Sequence, residues 1–129
     1  MSFLKSFNRH MERNQAASLA LLEQLEKASI TDLDQFNEEL WQDISTCSNG
    51  QYLIEVLDHE ETSLAFIVKI FVKIGFSCED SVRLMMKLHK KGSVVLAIAE
   101  EKMLVRLQDY INLQAKRHGF YVSSRITKI

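Results

Sequence analysis

The sequence has no proline, only four glycines and only two cysteines among its 129 residues. Two cysteines, Cys47 and Cys78, are too few for a disulfide framework or a zinc site, and reduced thiols are typical of a cytoplasmic protein. No uncharged apolar run approaches the roughly 18 residues that cross a membrane, and the first residues lack the apolar segment of a signal peptide. We therefore expect a cytoplasmic protein that has no membrane partner and holds no metal or other cofactor.

An excess of charge of one sign is also absent, because the formal net charge at pH 7 is −1. Residues 1–50 carry four basic and eight acidic residues, whereas residues 51–129 carry twelve basic and nine acidic residues. Neither part is basic enough to indicate nucleic acid as a partner. This difference in charge, together with a change of hydrophobic pattern near Gly50, predicts a helical N-terminal arm over residues 1–48 and a domain over residues 49–129.

In the second part of the chain, helical and strand-like hydrophobic patterns alternate and are separated by glycines. A helix over residues 63–74 is favoured over a strand because the segment is long and Thr62 or Ser63 can cap it. Ser77 is predicted as the N-cap of the next helix, which Gly92 ends. The patterns predict, in order, a strand at 52–57, helices at 63–74 and 78–91, a strand at 93–99, a helix at 100–117 and a strand through 120–126. This β-α-α-β-α-β order predicts an α+β sandwich with three helices on one face of a three-stranded sheet, preceded by the helical arm.

Within the arm, an apolar stripe predicts an amphipathic helix over residues 31–46 that begins at Thr31 as its N-cap. The stripe consists of Leu33, Phe36, Leu40, Trp41 and Ile44. Such a stripe packs against the domain or against a second copy of the chain, so that homo-oligomer formation through residues 14–46 is one expectation. A helix that binds a partner protein is the alternative.

A polar loop, Asp58-His59-Glu60-Glu61, follows the first predicted strand and precedes a buried helix. In a β-α-α-β unit this loop can meet the end of the next helix, which carries His89, at the rim of an apolar pocket. Three uses of such a rim are open: a metal site made by Asp58, His59 and His89, general acid–base catalysis, and recognition of a cationic group. An ammonium group has three donors and needs three acceptors, which carboxylate and neutral imidazole supply. The alternative without a function is a solvated acidic turn beside a histidine at a helix end.

The most specific motif is Leu84-Met-Met-Lys-Leu-His-Lys-Lys-Gly92. It looks like the Met-x-x-Val-His-x-x-Gly helix end of ClpS, the small adaptor that delivers proteins with destabilising N-terminal residues to Clp AAA+ proteases. Residues 52–124 as a whole resemble this family in the order of their elements. The resemblance implies a fold that is also found in the C-terminal domain of the ribosomal stalk protein.

The resemblance also implies the residues that bind the ligand. The α-amino group of a substrate would contact Asp58, His59 and His89, where Asp58-His59 stands in place of the family's Asn-Asp. Asp58 can accept from an ammonium group, whereas His59 can accept only when its ring is neutral. The bulky first side chain of the substrate (Leu, Phe, Trp or Tyr) would enter an apolar pocket. The pocket would be lined by Thr62, Leu64, Ile67, Met85, Leu88 and Phe120.

Two functions are therefore expected. The first is a non-enzymatic adaptor, without catalytic residues, that binds substrate N-termini and the N-terminal domain of a Clp-type unfoldase. The second is a protein–protein interaction or inhibitory module of the same fold that binds no N-terminal residue and acts through its acidic helical arm. A small hydrolase has little support because no nucleophile lies beside an obvious base.

Overall fold

The computed structural model describes residues 33–129, so that the predicted N-cap Thr31 and the rest of residues 1–32 lie outside the described residues. Over residues 33–129 the prediction of an α+β fold is confirmed, with three antiparallel strands and four helices. The helices are α1 (Glu38–Ser45), α2 (Leu64–Ile74), α3 (Cys78–Lys91) and α4 (Glu101–His118), and the strands are β1 (Tyr52–Leu57), β2 (Ser93–Ala99) and β3 (Ser123–Lys128). None of these helices is both long and apolar enough to span a membrane.

The sheet has the order β2-β1-β3, and both outer strands run antiparallel to β1. Side chains alternate between its two faces, and on the covered face Ile54 is fully buried. The opposite face carries a hydrogen bond of 2.6 Å from Nε of Arg125 to Oε1 of Glu55. Val95 and Ile98 lie on β2 and are 43% and 47% exposed. Strand β2 is therefore apolar on both faces, and among the described residues the face that carries Val95 and Ile98 is the more exposed one.

Local signals in the sequence start and end the helices as predicted. The hydroxyl of Ser63 accepts from the N–H of Phe66 at 3.2 Å, and the hydroxyl of Ser77 accepts from the N–H of Asp80 at 3.1 Å. Gly92 adopts the left-handed conformation that ends α3. Because each cap satisfies a backbone donor that the first turn of a helix leaves free, these residues place the helix starts by local chemistry. Both caps and the choice of helix for residues 63–74 are confirmed.

The core lies between the helices and the covered face of the sheet. Helix α2 contributes most to it, as its unusually apolar sequence predicts. Among the largest side chains that are at most 2% exposed are Ile44, Ile54, Phe66, Ile67, Ile70, Phe71, Ile74, Met85, Leu88 and Leu104. Burial of each such side chain stabilises the fold by about 1.5–3 kcal/mol.

The prediction of a helix over residues 31–46 is wrong at its start, because residues 33–37 are not helical and α1 begins only at Glu38. The N–H of Phe36 donates to the carbonyl of Lys73 at the end of α2, at 3.0 Å. A backbone donor that is used in this way cannot also close a helical turn. Tertiary hydrogen bonding therefore overrides the helical pattern in these five residues.

The prediction of a last strand through residues 120–126 is also wrong at its start, because β3 begins at Ser123. The N–H of Phe120 donates to the carbonyl of Ala115 at 2.9 Å, and Gly119 is left-handed. These two features form the usual close of a helix, so that the donor of Phe120 belongs to the end of α4 and not to the sheet.

The described part of the predicted arm packs against the rest of the same chain. Its buried side chains are Leu33, Phe36, Leu40 and Ile44, and the compact unit that contains the sheet begins at Leu33. Asn37 caps α1 by accepting from the N–H of Leu40 at 2.9 Å. The apolar stripe is thus covered within the chain from residue 33 onward. Homo-oligomer formation through residues 14–46 stays a prediction, and residues 14–32 lie outside the described part.

The contact of Tyr110 with the segment before α1 gives a prediction for alkaline pH. The hydroxyl of Tyr110 donates to the backbone carbonyl of Asp34, and burial, followed by the charge of Asp34, raises the pKa of Tyr110. Above about pH 10 the unfolded chain ionises this tyrosine while the folded chain keeps it neutral, so that the free energy of unfolding falls as the pH rises. We expect this decrease in the free energy of unfolding to be absent from Tyr110→Phe when urea unfolding is measured at about pH 8 and pH 11. Equal pH dependence in the two proteins would contradict the prediction.

Candidate functional site

The loop after β1 meets the end of α3 at one edge of the sheet. Because β1 and β2 are antiparallel and Leu57 pairs with Ser93, the residue after β1 lies beside the residue before β2. The N–H of Asp58 donates to the carbonyl of Gly92, which ends α3, at 2.8 Å. About one turn earlier on α3, Nδ1 of His89 lies 3.8 Å from Oδ2 of Asp58. The structure therefore brings together two of the three residues that were predicted to contact an amino group.

Asp58 and His89 leave hydrogen-bond acceptors available between them. Their side chains are 26% and 33% exposed, and 3.8 Å is too long for a hydrogen bond between the two groups. Oδ1 of Asp58 accepts from the N–H of His59 at 3.0 Å, whereas within residues 33–129 Oδ2 accepts no hydrogen bond. This contact is an ion pair only when His89 is protonated, whereas a neutral imidazole with its proton on Nε2 leaves Nδ1 as an acceptor. A carboxylate and an imidazole that flank a solvent-accessible space can accept hydrogen bonds from a cation.

His59, the third predicted contact, is engaged elsewhere in the loop. Its Nδ1 accepts from the N–H of Glu61 at 3.1 Å, and its ring packs on Tyr121 with ring centroids 4.6 Å apart. A ring nitrogen that accepts carries no proton, so that the neutral ring holds its proton on Nε2 and offers a ligand a donor. His59 therefore shapes the loop, whereas Asp58 and His89 supply the acceptors. A direct contact of His59 with an amino group stays a prediction.

The six predicted pocket residues divide into two groups. Thr62, Leu64 and Phe120 are partly exposed, whereas Ile67, Met85 and Leu88 are 0%, 1% and 0% exposed. Because a water molecule cannot reach the second group, no opening lined by those three side chains is present in this conformation. The acceptors Asp58 and His89 are therefore accessible, whereas the buried part of the predicted pocket, at Ile67, Met85 and Leu88, is closed.

Thr62 follows the same loop and has a hydroxyl group that lacks a hydrogen-bond partner within residues 33–129. Its N–H donates to the carbonyl of His59 at 3.0 Å and closes a turn. Its Oγ1 is buried and has no hydrogen-bond partner within the part of the chain that the structure describes. A buried hydroxyl without a partner costs about 1–3 kcal/mol, and such groups are uncommon in native proteins. The Thr62 hydroxyl is therefore unpaired within the described residues and is closed to solvent in this conformation.

Two contributors to this site were not predicted from the sequence. Tyr121 is 44% exposed and packs on His59. Its position directly after the predicted pocket residue Phe120 was a signal for this role. The alternating pattern, however, assigned the segment to a strand. The carbonyl of Gly92 anchors Asp58. A backbone carbonyl leaves no signal in the side-chain pattern, so that only the register of β1 and β2 reveals it.

Within residues 33–129, no three His, Cys, Asp or Glu side chains come together as ligands for a metal ion, and Asp58, His59 and His89 form no such group. No protein-family model matches the chain, and comparison with curated proteins finds no significant match.

Proposed function

We propose that this protein is a non-enzymatic, cytoplasmic adaptor similar to ClpS, which binds the N-terminal residue of a substrate protein and presents it to a Clp-type AAA+ unfoldase. The observation that carries the proposal is the accessible pair of acceptors, Oδ2 of Asp58 and Nδ1 of His89, 3.8 Å apart. The order β-α-α-β-α-β from Tyr52 to Lys128 agrees with the fold that the resemblance to ClpS implies.

The spacing of the two acceptors suits an ammonium group. A nitrogen placed about 2.8 Å from each atom, the length of a charge-assisted hydrogen bond, sees the two acceptors at an angle of roughly 85°. This angle is near enough to the tetrahedral angle of an ammonium group for two of its N–H bonds to point at Asp58 and His89.

The charge of the site favours a free N-terminus. Asp58 supplies a full negative charge, and a hydrogen bond to a charged group contributes about 1.5–3 kcal/mol. Acetylation of the substrate removes both its positive charge and two of its donors. The proposed site therefore distinguishes a free N-terminus from a blocked one, which is the chemistry an adaptor for N-terminal residues requires.

The proposal is tested by titrating the full chain with labelled peptides that begin with Phe, Leu, Trp, Tyr or Gly, each with a free or an acetylated amine. We expect acetylation to lower the affinity about a hundredfold, because two charge-assisted bonds are lost. Asp58→Ala and His89→Ala should each weaken binding of the free-amine peptides about tenfold or more. His118→Ala is the matched control, because this partly exposed histidine at the end of α4 is not one of the proposed amino-group contacts.

Equal binding of free and acetylated peptides, or no binding at all, would contradict the adaptor function. Either result would favour the second expectation, an interaction or inhibitory module that acts through its acidic helical arm.

A further inference from the structure

Asn49 and Gly50 follow each other in the irregular segment between α1 and β1. Asn49 is exposed. Within residues 33–129 its carboxamide takes part only in a weak hydrogen bond, in which Oδ1 accepts from the thiol of Cys47 at 3.8 Å. In the same part of the chain, the N–H groups of Ser48, Asn49 and Gly50 donate to no acceptor. Hydrogen bonds therefore hold neither the carboxamide of Asn49 nor the backbone next to it.

The other two asparagines of residues 33–129 are held by helices. Oδ1 of Asn37 accepts from the N–H of Leu40 at 2.9 Å, as the N-cap of α1. Asn112 lies within α4, where the N–H of the next residue belongs to the helical hydrogen bonds. Among these three residues, Asn49 is the one that lies outside a helix and its cap, and it is also the one that a glycine follows.

We infer that Asn49 is a site of spontaneous covalent modification, independent of the function proposed above, in which its amide is lost and an isoaspartate link forms. The backbone nitrogen of Gly50 attacks Cγ of Asn49. A bond forms between these two atoms, the bond from Cγ to Nδ2 breaks, and ammonia leaves with the proton of the Gly50 N–H. Water then opens the cyclic imide. Attack of water on the backbone carbonyl carbon gives isoaspartate, and attack on Cγ gives aspartate.

Gly50 favours this ring closure because no side chain shields its nitrogen. The fold also requires glycine here, since a β-carbon on residue 50 would lie 2.5 Å from Cα of Ala99. The residue that packing against β2 requires is therefore the one that leaves Asn49 open to attack. Isoaspartate adds a carbon atom to the backbone directly before this contact, and Ala99 pairs with Tyr52 at the start of β1. The modification should therefore destabilise this end of the sheet.

The site is tested by keeping the folded, full-length chain at mildly alkaline pH in water enriched in heavy oxygen. The protein is then digested in ordinary water and mapped by mass spectrometry, so that heavy oxygen marks only conversion that preceded digestion. We expect heavy oxygen at residue 49, isoaspartate among the products, and intact amides at Asn37 and Asn112. Asn49→Gln keeps an amide but moves its carbon further from the attacking nitrogen, and this variant should lose the modification.

The effect on the fold is tested by urea unfolding of the isoaspartate form, separated from the unmodified protein by ion exchange. Asn49→Asp is the matched control, because it carries the new charge on an unaltered backbone. We expect the isoaspartate form to unfold at a lower urea concentration than both the wild-type protein and Asn49→Asp.

An amide at Asn49 that persists as long as those of Asn37 and Asn112 would overturn the inference. Conversion only in urea would also overturn it, because the folded backbone would then prevent ring closure. Aspartate without isoaspartate would indicate direct hydrolysis and exclude the cyclic imide. An isoaspartate form as stable as Asn49→Asp would contradict the expected strain against Ala99.

Discussion

Replacing Gly75 by alanine should lower the free energy of unfolding by about 3 kcal/mol or more. Gly75 ends α2 with a φ of +141°, and a β-carbon added there would lie 2.8 Å from Cγ of Trp41 and still closer to Cδ1 and Nε1 of the same indole. Trp41 cannot withdraw freely, because its ring also packs on Phe76 with centroids 4.8 Å apart. Backbone strain at residue 75 and steric overlap with Trp41 therefore both lower the free energy of unfolding of Gly75→Ala.

The two causes can be separated with a second substitution. In the background of Trp41→Ala the overlap is gone, and the further loss caused by Gly75→Ala should fall to the roughly 1–2 kcal/mol that the left-handed backbone alone costs a residue with a side chain. Urea unfolding of the wild-type protein, both single variants and the double variant gives this coupling directly. A loss from Gly75→Ala that is the same with and without Trp41 would show that the indole does not rest on this glycine.

Replacing Gly50 by alanine should lower the free energy of unfolding by about 2–3 kcal/mol through contact alone. A β-carbon at Gly50 would lie 2.5 Å from Cα and 2.6 Å from N of Ala99, the last residue of β2. These are backbone atoms, and Ala99 pairs with Tyr52 at the start of β1. The overlap can therefore be removed only if the end of β2 moves. A side chain in the same place could have rotated away.

Gly92→Ala is the matched control for Gly50→Ala. Gly92 has a φ of +83°, and nothing lies within 4 Å of a β-carbon built on it, so that its replacement should cost only about 1 kcal/mol. Ala99→Gly should not rescue Gly50→Ala, because the atoms in conflict belong to the backbone. A Gly50→Ala variant that loses no more stability than Gly92→Ala would contradict the close approach of residue 50 to β2.

Part of the candidate site followed from the sequence by general rules. A loop after one strand and a helix that ends just before its antiparallel neighbour must meet at one edge of a sheet. Asp58 and His89 were placed together on this ground, and the structure holds them 3.8 Å apart. The contact of His59 with Tyr121 could not be found in the same way, because it depends on how the chain leaves α4, and the N–H of Phe120 closes that helix where a strand was expected.

The sequence by itself determined where α2 and α3 begin and where α3 ends, because caps such as Ser63 and Ser77 and glycines such as Gly92 act on backbone groups only a few residues away. Only the tertiary structure decided that Ile67, Met85 and Leu88 are closed off and that Phe36 leaves its helical pattern to bond with Lys73. The physical reason is that these contacts join residues that lie far apart along the chain. A pattern of apolar residues indicates which side of a helix or strand is buried. Close packing between distant segments determines which neighbour covers that side and whether any space is left.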